Sequence, residues 1–155
     1  MIRLVRTDSG NPDFRALVAQ LDAYLREKDG EDHAFYNQFN QIDHIRHVVV
    51  AYADGKAAGC GAIKKYDEQS AEIKRMFVDP AFRGRGIAGL ILAELENWAC
   101  ELSFSSCILE TGKRQVEAVR LYQKENYRVI PNYGQYIGVD NSVCMKKELY
   151  ESTGI

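Results

Sequence analysis

The sequence carries no surplus of charge of either sign. Its 20 Lys and Arg against 22 Asp and Glu leave a formal net charge of -2, with a pI near 5.9, which excludes a general nucleic-acid or polyanion binder. Cys60, Cys100, Cys107 and Cys144 stand far apart with no CxxC pair, so the common zinc and dithiol spacings are excluded and reduced core residues remain. No apolar run reaches membrane-spanning length, and Arg3 and Arg6 interrupt the first apolar residues. Neither a signal peptide nor a lipidation motif is expected, and the chain reads as cytoplasmic. Internal repeats and low-complexity segments are missing too. None of His33, His44 and His47 is paired by motif with a nucleophile or a metal-ligand set, which leaves them incidental.

What is present is an ordinary globular composition, 46% hydrophobic and 27% charged over 155 residues. That suffices for one sizeable core, so residues 1–155 read as a single domain. Residues 2–7 alternate as a half-buried strand, and TDSGNP then supplies a turn with a proline suited to a first helical turn. Phe14, Leu17, Val18, Leu21, Tyr24 and Leu25 recur at three- and four-residue steps, which predicts a helix over 12–28. Residues 33–45 have no clean period and read as a loop or short helix. From 47 to 78 the pattern is strand, turn, strand, turn, strand, with Asp54-Gly55 as a hairpin signal, which predicts an antiparallel meander. A second apolar stripe, Ile87 to Leu102, predicts a helix; SSCILETG reads as a buried strand, QVEAVRLYQKEN as a helix, and YRVI and SVCMKKEL as two last strands. Strand, helix, strand implies a local parallel pairing.

Between the meander and the second helix stands VDPAFRGRGIA. Gly84 and Gly86 lack a Cβ, so the chain can turn sharply there and bring several N–H groups to one ligand. The following helix adds its unsatisfied first-turn N–H groups and positive dipole end, and Arg83 and Arg85 add full charges. A phosphate or pyrophosphate site is expected.

Two cofactors fit such a loop. Gly84, Gly86 and Gly89 satisfy GxGxxG, and Glu110 ends the next predicted strand at about the ~20-residue spacing of a ribose carboxylate in a dinucleotide fold. The DPAFR spacer, the antiparallel meander and the short chain left after Glu110 oppose that reading.

The second reading takes Arg83, Gly86 and Ala88 as Gln or Arg, two residues, Gly, one residue, then Gly or Ala. With this motif the whole order of elements resembles the GNAT superfamily of acyl-CoA-dependent N-acetyltransferases. The resemblance implies an α/β (α+β) fold, with a mixed, mostly antiparallel sheet of about six or seven strands flanked by helices. It implies acetyl-CoA as co-substrate and no metal. Main-chain groups of Phe77 and Val78 would pair with the pantetheine arm, and Arg83, Gly84, Arg85, Gly86, Ile87 and Ala88 would surround the pyrophosphate. In QVEAVRLYQKENY the family's Asn, Ala, Leu-Tyr, Gly-Phe pattern falls on Gln115, Ala118, Leu121-Tyr122 and Asn126-Tyr127. Asn126 can take the left-handed conformation that glycine normally supplies, whereas Gln115 replaces the family's Asn at a cofactor contact.

Acetyl transfer from a thioester to an amine poses two proton problems. An amine of pKa near 10.4 is neutral in only about one molecule in 2,500 at pH 7, a handicap of roughly 4.6 kcal/mol. The departing thiolate in turn is a better leaving group once protonated. The resemblance implies Glu72 as the base and Tyr122 as the acid that approaches the sulfur. No cysteine has the setting of an acyl-enzyme nucleophile, so direct transfer is expected. The acceptor is a small-molecule or peptide amine, no nucleic acid or membrane is expected as partner, and a homodimer stays open. Phe35, Tyr36, Tyr133 and Tyr136 are candidate acceptor-site residues, with Phe39 beside them and Asp32 or Asp43 to attract a cation. A non-catalytic acyl-CoA sensor is the alternative function.

Overall fold

The computed structural model describes residues 1–29 and 44–149. Strand β1 (Ile2–Thr7) pairs antiparallel with β2 (His47–Ala53), whose HVVVAYA is apolar on both faces. Both faces are covered: Val48 and Val50 join one buried cluster, and Val49, Ala51 and Ala53 join another. Strands β3 (Lys56–Lys65) and β4 (Ser70–Val78) complete the expected antiparallel meander. Asp54 and Gly55 turn it at φ +52° and +82°, the left-handed pair that a tight hairpin needs.

Helix α1 (Pro12–Asp29) begins where Asn11 Oδ1 accepts from the Phe14 N–H at 2.9 Å. Its buried stripe, Phe14, Leu17, Val18 and Leu21, packs with Val48, Val50, Cys60 and Phe77 on one sheet face. Helix α2 (Ile87–Glu101) covers the opposite face with Ile87, Ile91, Leu92, Leu95 and Ala99. It lies close to the sheet because β3 has Gly61 beneath it, where a Cβ would stand 2.9 Å from Leu95 Cδ1 and 2.5 Å from Met76 Sδ.

Strand β5 (Ser106–Gly112), helix α3 (Val116–Lys124), β6 (Arg128–Ile130) and β7 (Ser142–Glu148) complete a seven-stranded sheet of order β1-β2-β3-β4-β5-β7-β6. All pairings are antiparallel except β4 with β5. This is the mixed, mostly antiparallel sheet expected, and it removes the doubly wound dinucleotide fold. Past the C-cap of helix α3 at Glu125, Asn126 turns the chain at φ +75°, with the Tyr127 N–H donating to the Tyr122 carbonyl at 2.9 Å. Strands β5 and β6 follow one another in sequence but are not neighbours in the sheet: β7 inserts between them, an order that no local pattern encodes. Among the described residues no helix is long and apolar enough to cross a membrane.

Two irregularities shape the site. Strands β4 and β5 share only the pairs Ser70–Ser106, Ala71–Cys107 and Glu72–Ile108, so past Glu72 they diverge as a wedge. On the other side of β4, the register with β3 shifts between Cys60 and Ala62, opposite Arg75, whose φ is +61°. That bulge bends β4 where the wedge opens.

Candidate functional site

The glycine loop closes one end of the wedge. Pro80–Phe82 form a single 3-10 turn, with Asp79 Oδ1 accepting from the Ala81 N–H at 2.9 Å. Gly84 and Gly86 follow at φ +85° and +75°, and a Cβ at either would meet nothing within 4 Å. Their requirement is therefore conformational: left-handed backbone that lets α2 start abruptly at Ile87. Gly86 caps α2 without a side-chain hydrogen bond, so first-turn N–H groups remain for a ligand.

Beside this loop runs a cavity of about 360 Å³, bordered by Phe77, Val78, Arg83, Gly84, Gly86, Ile87 and Ala88 on one side and Gln115, Leu121 and Tyr122 of α3 on the other. Arg83 Nε donates to the Val78 carbonyl at 3.1 Å, and its guanidinium lies 5.9 Å from the Phe77 ring and 6.0 Å from that of Tyr24. Arg85, expected with Arg83 around the anion, is not brought into this lining. Its guanidinium is 3.8 Å from Asp54 Oδ2 and 5.4 Å from the Phe82 ring. Gln115 is the N-cap of α3 and makes no side-chain cap hydrogen bond.

A second, smaller cavity of about 100 Å³ opens on the other side of Tyr122. The two share Leu21, Met76, Gln115, Ala118 and Tyr122. Tyr122 is buried, and burial, reinforced by Glu110, raises its phenol above the ordinary tyrosine range, so it keeps its proton at neutral pH.

The smaller cavity is polar. Glu72, only 8% exposed, lines it and accepts from the Tyr133 hydroxyl at 2.7 Å. Tyr136 lines it as well and stacks edge-on to Tyr133. Phe35, Tyr36, Phe39, Asp32 and Asp43 lie outside the described residues. Neither described histidine joins this cavity; His47 sits edge-on to Trp98 at 4.8 Å.

Three charged lining residues were not among the sequence candidates for this cavity. Glu110, considered there only as a ribose carboxylate, borders this cavity instead of the glycine loop, and Ser142 Oγ donates to its Oε2 at 2.7 Å. Lys74 and Arg75 form the cavity's cationic wall. A signal for them exists in SAEIKRMFV: two successive cations break the period-2 alternation, as a bulge does. Among the described residues no group of three or more His, Cys, Asp or Glu could hold a metal.

A meander, a wedge between parallel strands and a glycine-led helix at its mouth define a class. The chain belongs to the acetyltransferase (GNAT) family, whose sequence model matches residues 14–127, and it is an enzyme of the N-acetyltransferase type. It is 34% identical over 136 residues to an IAA acetyltransferase of Azospirillum brasilense, covering 86% of this chain and 88% of that protein. An uncharacterised N-acetyltransferase of Schizosaccharomyces pombe is 28% identical over 158 residues, covering 96% and 94%. Among solved structures, a putative acyl-CoA N-acyltransferase from Klebsiella pneumoniae superposes with a TM-score of 0.82 at 28% identity, covering 97% of this chain and 99% of that one.

Proposed function

We propose that the chain moves an acetyl group from acetyl-CoA to a primary amine by direct attack within a ternary complex. The observation that carries this reading is the meeting of the two cavities at Tyr122. The glycine loop suits a pyrophosphate through its uncapped helix N-terminus, its open left-handed glycines and Arg83. Phe77 and Val78 stand on the edge of β4 that β5 has left, so their backbone groups can pair with an amide-bearing arm as a further strand would. Bound CoA supplies the activated acetyl as a thioester; the chain's residues position it and handle protons.

Glu72 is the base, taking a proton from the acceptor's ammonium directly or through a water. Its Tyr133 hydrogen bond fixes the carboxylate and leaves further acceptor capacity toward the cavity. Tyr122 is the acid that donates to the departing sulfur. Its raised pKa keeps it fully protonated, and it delivers the proton only as negative charge builds on sulfur.

Thiol release from acetyl-CoA in a panel of amino acids, polyamines, aminoglycosides and peptide N-termini tests the reading. Tyr122→Phe should lower kcat by roughly 100-fold while leaving CoA affinity intact. An unchanged rate would remove Tyr122 from the chemistry. CoA binding without acetylation of any amine would make the chain an acyl-CoA sensor.

A further inference from the structure

The acceptor cavity holds more charge than acetyl transfer requires. Transfer needs a base and an acid, and Glu72 with Tyr122 fill those roles. Yet the same small space also borders Lys74, Arg75 and Glu110. Charged groups are costly to bury and are retained in such a place only with partners.

Arg75 is the least accounted for. Its side chain is 3% exposed, and Nη1 donates to Asp22 Oδ1 at 2.9 Å. Its Nε is covered and has no partner among the described residues. Its backbone stands at φ +61° without being glycine, a conformation that L side chains rarely adopt. A strained residue with a desolvated donor lacking an acceptor marks a site whose partner arrives with a ligand. Lys74 lies beside it, its ammonium pKa lowered chiefly by burial and raised in part by Glu72 and Glu110, so a bound carboxylate would favour its charged form further. Two carboxylates share the cavity, Glu72 on the same strand fixed by Tyr133 and Glu110 on β5 fixed by Ser142.

Two cations and two carboxylates around one cavity are the complement of a zwitterion. A cavity of about 100 Å³ is well below the roughly 300 Å³ or more of pockets for drug-sized ligands, which suits a small acceptor. We propose that the acceptor is a small free amino acid, its carboxylate held by Arg75 and Lys74 and its amino group by Glu72 and Glu110, on the side of Tyr122. This rests on the N-acetyltransfer reading for which end reacts, but the carboxylate site itself needs no turnover to be seen.

The experiment pairs each of the proteinogenic amino acids with the amine that lacks only its carboxylate, such as serine with ethanolamine or alanine with ethylamine. Transfer is followed by thiol release, and binding by calorimetry on the full chain saturated with CoA. At least one amino acid should exceed its matched amine in kcat/KM by about tenfold or more. Arg75→Lys should cut that preference at least about tenfold, and Lys74→Gln should cut it as well. CoA affinity measured on each variant reports that the fold is intact. Matched amines that react as well as the amino acids would overturn the carboxylate site and leave N-acetyltransfer standing. Amino acids that bind better than their amines but release no thiol would support the site and overturn the transfer. If no amino acid binds the CoA-loaded chain, the proposal fails.

Discussion

The Tyr133 hydroxyl donates a 2.7 Å hydrogen bond to Glu72 Oε2, tying the loop before β7 to the middle strand of the sheet. The two residues are 61 positions apart in sequence, and their contact sits on the acceptor side of Tyr122. Tyr133 thus controls the carboxylate assigned as base without touching the cofactor cavity.

That relationship has a readable pH signature. Glu72→Gln should lower kcat by about 100-fold or more and abolish the acidic limb of the pH-rate profile. Tyr133→Phe releases the carboxylate from the hydrogen bond that fixes it and should lower kcat by about tenfold with CoA affinity unchanged. A kcat unaltered by Glu72→Gln would remove Glu72 as base.

The two arginines of the glycine loop should separate by charge reversal. Arg83 borders the larger cavity, and Arg83→Glu should weaken CoA binding by roughly 10- to 100-fold, reading one lost attraction and one gained repulsion at about 1–3 kcal/mol. Arg85 points at Asp54, so Arg85→Glu should weaken it far less. Titration of CoA against both variants at fixed salt makes the comparison, and equal losses would mean that Arg85 reaches the anion too.

Alkaline pH should unfold this protein early. Burial raises the phenols of Tyr122, Tyr127, Tyr133 and Tyr136, with Glu110, Glu96 and Glu72 among the neighbours that add to it. A folded-state pKa above the unfolded value of about 10 means that the native state holds the proton longer. Their contribution is therefore fully present below pH 10 and is lost as pH climbs toward the folded values. Each such tyrosine should lower stability by up to roughly 1.4 kcal/mol per pH unit there. Urea midpoints should fall as pH rises from about 10 to 11, and Tyr133→Phe should flatten the fall.

Beneath α2, Gly61→Ala sets two effects against each other. Restricting the unfolded chain stabilises by about 0.4–1 kcal/mol. The new Cβ would meet Met76 Sδ at 2.5 Å and Ile91 Cγ2 and Leu95 Cδ1 at 2.9 Å, and overpacking of this kind costs about 1–3 kcal/mol. Net destabilisation is expected, measurable as a lower urea midpoint at unchanged slope.

Much of this was legible before any coordinates because the signals are local. The apolar stripe of α1, the Asp54-Gly55 turn and the left-handed conformation at Asn126 all follow from residues within a few positions of one another. Other features depend on partners distant in sequence. The insertion of β7 between β5 and β6 is decided by how Ile108 to Gly112 pair with Ser142 to Lys146. The motif fixes Arg83 and leaves Arg85 a free position, yet their charge alone groups the two, and only Asp54, brought near by the hairpin, draws Arg85 off. Glu110 matched a ribose carboxylate by spacing, a match that carries no information about which side of the wedge its strand presents.

The three-pair contact between β4 and β5 leaves the protein with strand edges in the middle of its sheet as well as at the margins. Exposed edges invite other chains, and proteins commonly blunt them with charge, bulges or covering elements. Here the Arg75 bulge and buried Tyr122 stand at the mouth of the gap, so an edge left open for a thin amide-bearing arm is also guarded against a full β-strand. Variants that widen the gap should therefore be screened for solubility before activity.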